Sequence, residues 1–439
     1  GFRVGAVAAG IKKQAKDGTR PLDLAIIHSE KPTRAAGLFT TNLLQAAPIQ
    51  HTRSLIDSLH GEGIEGVVIN AGCANACTSS KGIEDAKTMS SLAYKAMGGK
   101  GDSAAAPFGV MSTGVIGDFL PIKKIADGIS AIGEGELKGD LASWDAVSRA
   151  IMTTDTVPKF EYLESNIPRG DSGDAVHFAG VIKGAGMIHP NMATMLSVIA
   201  TDAPVAAGPL RAAMRYVGDR TYNCMSIDGD TSTNDCVVIL ANGDIESAAA
   251  IKSEQDPGYI PFRNGLMRIS EQLTRRLVAD GEGITKLIYI RVRGENMSFQ
   301  DLRTIGHSIS TSALVKTAFY GQDANWGRIM AAAGYAGVNF NPDEATLQVA
   351  SVERHGAERK EVMRETLFEN GGRSLTLSEE KSSSIFRGDE IFVDLCIGKN
   401  TPSFEQPLSE EQAKKIGEAT VTTCDFSHEY VTINGSYRS

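Results

Sequence analysis

The chain has 439 residues, 42% of them hydrophobic and 22% charged, with a formal net charge of −9. That is enough for one large core or two smaller ones. The acidic balance and the lack of any dense Lys/Arg run exclude a phosphate-tracking nucleic-acid binder, and no apolar run approaches the roughly 18–20 residues of a membrane span.

Glycine is plentiful (46 residues) and aromatics are scarce (6%), which points to tight turns and close backbone approach instead of aromatic stacking platforms. Six cysteines without a C-x-x-C pair make neither a disulfide scaffold nor a zinc site. A reducing compartment and no metal are therefore expected. The opening stretch lacks the layout of a cleavable signal peptide, so a soluble protein is expected.

In chain order, Val67-Val68-Ile69 predicts a buried strand running into a turn at Asn70-Ala71-Gly72. Met89, Leu92, Ala93, Ala96 and Met97 recur at helical spacing, and Gly98-Gly99 stops that helix. In Ser112-Thr113-Gly114-Val115-Ile116-Gly117, a threonine followed by glycine in a tight turn can aim a hydroxyl and a backbone N–H at one point, as an oxyanion hole requires; a plain strand-ending turn fits equally well. Lys183 to Thr194 is a glycine-rich polar approach, after which Met195 to Ala200 predicts a buried strand with Thr194 at its first position. Phe262, Leu266, Ile269, Leu273 and Leu277 form an amphipathic helical stripe. It ends at Asp280-Gly281-Glu282-Gly283, and Ile288, Ile290 and Val292 then alternate with Tyr289, Arg291 and Arg293 as a half-exposed strand. Glu282 thus sits in a glycine-flanked turn where backbone can approach a ligand. Alternating strands and helices without a linker or short repeat predict an α/β or α+β enzyme.

Two superficial motifs fail on order. Lys183-Gly184-Ala185-Gly186 lacks the G-x-x-x-x-G-K-[ST] arrangement of a phosphate loop. Ser226 to Asp235 resembles a calcium loop, but the twelfth position counted from Asp228, where an EF-hand needs glutamate, is Ile239, so a turn-rich structural loop is expected. His189 could serve as a general base or be a turn residue beside Pro190. Cys73 and Cys77 read as packing residues.

The string KGAGMIHPNMATML, Lys183 to Leu196, resembles the processing site of the ornithine acetyltransferase (glutamate N-acetyltransferase) family of arginine biosynthesis. Asn70 to Ala76, Ser112 to Gly117, Thr153-Thr154-Asp155-Thr156, Asp228 to Asp235, Asp323 to Arg328 and the tail Ile433 to Ser439 follow in family order, so the resemblance spans nearly the whole chain. The final Ser439 stands where many members carry threonine; both residues bring a hydroxyl and the terminal carboxylate.

The resemblance implies a sheet-and-helix sandwich with two lobes sharing one active site, made as a precursor that cuts itself between Ala193 and Thr194. The products would be an alpha chain, 1–193, and a beta chain, 194–439, assembled as a heterotetramer of two of each. In that scheme the Thr194 hydroxyl attacks the Ala193 carbonyl, and hydrolysis of the resulting ester exposes the Thr194 amine. With a reference pKa of about 8, that amine can act as the nucleophile's own base. The implied reaction is ping-pong acetyl transfer from N-acetylornithine to glutamate through acetyl-Thr194. Thr113 and Gly114 would hold the oxyanion, and Thr153, Thr154, Lys183, Thr194, Glu282, Asn434 and Ser439 the substrate, with Glu282 suited to the side-chain amine of ornithine. No cofactor is implied, and acetyl-CoA is a co-substrate in some relatives. Cytoplasmic location is expected, with the mitochondrial matrix as the alternative for a fungal source. A self-processing aminopeptidase or amidase, which passes the acyl group to water, and a non-catalytic small-molecule binding protein are the competing functions.

Overall fold

Runs of aliphatic and β-branched residues build the strands of the first of two units. The computed structural model describes residues 1–100, 106–167, 174–189, 195–247, 249–355 and 358–436. The first unit comprises chiefly Gly1–Asn223 and Asp230–Asp280, and the second Cys224–Gly229 and Gly281–Tyr437.

In the first unit the strands are β1 (Phe2–Val7), β2 (Leu24–Phe39), β3 (Glu62–Cys73), β4 (Phe108–Val115), β5 (Phe160–Ile167), β6 (Asp174–Lys183), β7 (Leu196–Thr201) and β8 (Cys236–Ala241). Among the described residues they hydrogen-bond in the order β4-β3-β2-β8-β7-β6-β5, with β1 also on β2. The β3/β4 and β7/β8 pairs are parallel. The 16-residue β2 does two jobs: Leu24–His28 pair with β3, and Arg34–Phe39 pair with β8, with register breaks between. Bulges of this kind bend a strand. The two halves of the sheet consequently share one core, in which Ile27, Ile69 and Met111 of one half cluster with Val181, Val198 and Leu240 of the other.

The opposite faces carry helices, as the period-2 alternation of strand side chains demands. Leu24, Ile26, Val68 and Val110 pack with Met89 of α2 (Ser79–Ala96) and Ile125 and Ile129 of α3 (Ile122–Ala131); α1 (Ala47–Ser58) packs against β4 and α2 but puts Ile49 and Ile56 into the shared core. Next come α4 (Leu141–Ala150), α5 (Ala207–Arg220) and α6 (Tyr259–Val278). On α6 the predicted stripe is fully buried and packs on β5 and β6. The approach is close: a Cβ on Gly180 of β6 would lie 2.8 Å from Leu273 Cδ1. The strand predicted after Thr194 is β7, buried at every position like β8, the pattern of strands covered on both faces.

The second unit holds β9 (Leu287–Glu295), β10 (Ala345–His355), β11 (Glu358–Glu369), β12 (Gly372–Arg373), β13 (Glu390–Ile397) and β14 (Ile416–Cys424), ordered β12-β11-β10-β13-β9-β14. Its helices are α7 (Phe299–Ser310), α8 (Ala313–Tyr320), α9 (Trp326–Gly334), α10 (Glu379–Phe386), α11 (Glu410–Ala413) and α12 (His428–Ser436). Both units mix strands and helices, in accord with the expected α/β class.

Three local expectations need correction. Strand β9 is not half-exposed: it lies between β13 and β14, Tyr289 is buried, and Arg293 is 4% exposed because Glu418 and backbone carbonyls take its donors. Asn70-Ala71-Gly72 is not a turn, since β3 runs through it to Cys73. Cys73 is buried as expected, but Cys77 is exposed. Among the described residues no helix is long and apolar enough to cross a membrane.

Candidate active site

Strand β6 ends at Lys183, whose register partner on β7 is Leu196. The side chain is 3% exposed. Its ammonium donates to Thr153 Oγ1 at 2.7 Å and to Thr113 Oγ1 at 3.2 Å. One buried cation therefore joins two of the predicted site hydroxyls.

Thr113 and Gly114 lie inside β4 instead of in a turn. The strand is distorted at this point: Gly114 pairs with Gly72, and Cys73 then faces both Thr113 and Val115. Gly114 has φ +129°, and a Cβ there would fall 2.3 Å from the Gly72 carbonyl carbon. Only glycine fits both the dihedral and the space. Side-chain amides fix the surrounding backbone. Asn70 donates to the Cys73 carbonyl at 2.9 Å and accepts from the Ser112 hydroxyl at 2.6 Å. Asn234 donates to the Ala74 and Ser112 carbonyls at 2.6 and 2.9 Å.

Thr153 is delivered by the segment after α4, a helix capped at its start by the Asp140 side chain. Asp155 fixes that segment by accepting from Thr153 N at 2.9 Å, Gly184 N at 2.7 Å and Lys159 Nζ at 2.6 Å. Lys159 also pairs with Asp280 at 2.5 Å, and Asp280 accepts from the backbone N–H and the hydroxyl of Thr156. Burial alone would raise the Asp155 carboxyl, but the ammonium groups of Lys183 and Lys159 and the hydrogen bonds it accepts hold it well below the usual carboxylate range. Lys12 lies near the same charges, pulled to about 8 by burial while Asp23 and Asp155 oppose the shift. Thr154 is half-buried and makes no side-chain hydrogen bond among the described residues.

The start of β7 is tied to the start of β8. Asp235 Oδ1 accepts from Met195 N at 2.9 Å, and Cys236 N donates to the Met195 carbonyl at 3.1 Å. Asp235 is fully buried, its second oxygen has no close hydrogen-bond partner among the described residues, and burial pushes its carboxyl well above the usual range despite the nearby Lys183 and the polar groups of Ser232. Burial likewise pulls His189 below its ordinary value, with Asp230 acting against it.

Glu282 and Asn434 come together within the second unit. Gly283 has φ +66°, and a Cβ on it would meet Tyr430 N of α12 at 2.5 Å, so this turn closes tightly on that helix. The Ser427 hydroxyl donates to the Gly283 carbonyl, and Asn434 Nδ2 donates to Glu282 Oε2 at 2.8 Å. Glu282 is 7% exposed. Of the predicted residues, then, Thr113, Gly114, Thr153 and Lys183 gather in the first unit and Glu282 pairs with Asn434 in the second. Ala193, Thr194 and Ser439 lie outside the described residues. Sequence reasoning missed Asn70, Asn234, Asp155, Lys159, Asp235 and Asp280 as supports, although Asn70, Asp155, Asn234 and Asp235 stand inside the strings that carry the family resemblance. Among the described residues no group of three or more His, Cys, Asp or Glu is placed to hold a metal ion.

A sequence model of the ArgJ family matches residues 3–439. The arginine biosynthesis bifunctional protein ArgJ, mitochondrial, of Uncinocarpus reesii is 43% identical over all of this chain and 92% of its own length. The protein of the same name from Schizosaccharomyces japonicus is 40% identical over all of this chain and 93% of its own. Among solved structures, ornithine acetyltransferase complexed with ornithine from Mycobacterium tuberculosis is 38% identical, covering 43% of this chain and 91% of that one, with a TM-score of 0.37.

Proposed function

The chain belongs to the ArgJ family, and from that premise we propose that it transfers acetyl from N-acetylornithine to glutamate by a ping-pong route through acetyl-Thr194. The observation that carries the reading is the Lys183 ammonium bridging the Thr113 and Thr153 hydroxyls. A hydroxyl that accepts from a cation turns its own hydrogen elsewhere and is polarised into a stronger donor. That suits Thr113 to the negative oxygen of a tetrahedral intermediate, with Gly114 beside it.

In the proposed cycle the precursor first cuts itself between Ala193 and Thr194. The Thr194 hydroxyl adds to the Ala193 carbonyl, the peptide nitrogen leaves as an amine, and water hydrolyses the ester. That free α-amine takes the hydroxyl proton when Thr194 attacks N-acetylornithine, and returns it to the departing ornithine amine. Glutamate, with its amine unprotonated, reverses the sequence and leaves as N-acetylglutamate. Lys183 and Thr153 meet the amino-acid part of either substrate, and Glu282, oriented by Asn434, meets the cationic side chain of ornithine. Thr154 and Ser439 complete the proposed set. No cofactor enters this chemistry.

The word bifunctional in the relatives' names supports acetyl-CoA as a second acetyl donor for glutamate, and the word mitochondrial supports the matrix over the cytoplasm. A heterotetramer of cleaved chains is the proposed assembly. The test is direct: the purified protein should run as two bands on a denaturing gel, Thr194→Ala as one, and N-acetylornithine with glutamate should yield N-acetylglutamate and ornithine. Release of free acetate at the same rate with and without glutamate would instead identify an amidase.

A further inference from the structure

A group of four charges lies behind the proposed substrate site: Lys183, Asp155, Lys159 and Asp280. Lys159 is 1% exposed and sits between two carboxylates, Asp155 at 2.6 Å and Asp280 at 2.5 Å. Buried ions of this kind are costly to desolvate, and an all-apolar alternative is often at least as stable. The arrangement therefore calls for a reason beyond holding the fold together. The network borders Lys183, the cation that reaches the Thr113 and Thr153 hydroxyls and helps to hold Asp155 ionised.

Two carboxylates face Lys183 from different elements. Asp235, just before β8, is pushed by burial toward its neutral form. Asp155, after α4, is held ionised. Lys12, from the segment between β1 and β2, is a further positive charge near Lys183, and the repulsion between them helps to lower the Lys12 pKa. Asp155 is thus an ionised carboxylate whose charge acts on Lys183. The same carboxylate fixes both ends of the contact mechanically, since it binds Thr153 N and Gly184 N, the neighbours of the groups that meet.

We infer that Asp155 is a positioning residue of the acetyl-transfer site, which keeps the Lys183 ammonium charged and aimed at Thr113 and Thr153, and that Lys159, clamped by Asp280, sets how much of the Asp155 charge Lys183 receives. The inference rests on the acetyltransferase reading given above. Asp155 does not touch substrate in this scheme; it acts through Lys183. Removing its charge lets Lys183 lose its proton at lower pH. Removing the charge of Lys159 leaves more of Asp155 to Lys183 and moves that loss to higher pH. A carboxylate and a cation that only held the loop together would not give shifts of opposite sign.

The test is the pH dependence of kcat/KM for N-acetylornithine, which in a ping-pong scheme reports the acetylation half-reaction, on processed wild type, Asp155→Asn and Lys159→Gln. The alkaline limb should move down by about one to three pH units in Asp155→Asn and upward in Lys159→Gln. In a Lys183→Arg background, where the guanidinium stays charged, the Asp155→Asn shift should vanish. Alkaline limbs that stay in place in folded, processed variants would overturn the inference, even if the rates fall. If Asp155→Asn fails to fold, Lys159→Gln decides alone, an upward shift supporting the role and an unmoved limb overturning it. Wild type without any acetyl transfer would defeat the acetyltransferase reading and this inference with it, whereas active wild type with unmoved variants would defeat only the role given to Asp155.

Discussion

Lys183 donates a hydrogen bond to Thr113 although the strands that carry them, β6 and β4, have four others between them in the sheet order. In a flat sheet that separation would be about 24 Å at the usual strand spacing. The contact exists because β2 bends and passes from pairing with β3 to pairing with β8, which brings the two halves of the sheet face to face around one core.

From this contact, Thr113→Ala should lower kcat roughly 100- to 1000-fold, the usual loss when one oxyanion donor is removed, and should slow self-cleavage as well. Steady-state kinetics on the cleaved fraction, with a thermal melt for stability, would measure this. An unchanged kcat would remove Thr113 from the reaction.

Gly114→Ala should behave differently, because the damage is to the fold. The new Cβ meets β3 backbone, which is flanked by buried strand and has no room to give way. A loss of at least about 2 kcal/mol in urea unfolding is expected. An unfolding midpoint equal to wild type would show that β3 and β4 are freer to shift than their pairing indicates.

Glu282→Gln should separate the two substrates. KM for N-acetylornithine should rise at least about tenfold, as a lost charge-assisted contact implies, while KM for glutamate changes little. Asn434→Ala should give a weaker effect in the same direction, since Asn434 acts by orienting Glu282. Equal effects on both substrates would argue that Glu282 meets their common amino-acid portion.

The two buried aspartates predict opposite slopes of stability with pH. Asp155 has a depressed folded-state pKa, so its contribution is present above its unfolded value near 4 and is lost as the solution is acidified below that. Asp235 has a raised folded-state pKa, so it lowers stability as pH climbs from about 4 toward its folded value, by up to about 1.4 kcal/mol per pH unit. Asp235→Asn keeps an acceptor for Met195 N and removes that slope. It should be more stable than wild type at pH 8 and closer to it at pH 4, measured by denaturant titration at each pH. A variant less stable than wild type at pH 8 would refute the neutral-carboxyl assignment.

What could be read from the sequence was what local periodicity writes down. The stripe from Phe262 to Leu277 and the apolar run from Met195 to Ala200 became α6 and β7 because each signal is contained in one element. Strand β9 misled because Arg291 and Arg293 look solvent-seeking until Asp394 and Glu418 arrive from the neighbouring strands. The Thr113-Gly114 pair was identified as chemically special but taken for a turn, since the register break with β3 involves residues about forty positions away. Of the charge network behind Lys183, only Asp155 and Lys159 are near in sequence; Asp280 is more than a hundred residues further on, and nothing local links it to them.

The proposed cut falls in the connection between β6 and β7, which pair antiparallel from Phe178 with Thr201 to Lys183 with Leu196. Severing that link leaves every β6–β7 pairing between the described residues in place, so the two products should elute together and part only in denaturant. It does remove the tether that made their first pairing an intramolecular event. The mature protein would then be a kinetically held assembly that inherits its shape from the uncut precursor. Once unfolded, its halves must find each other by diffusion, and its recovery should depend on protein concentration where that of an uncleaved Thr194→Ala chain does not.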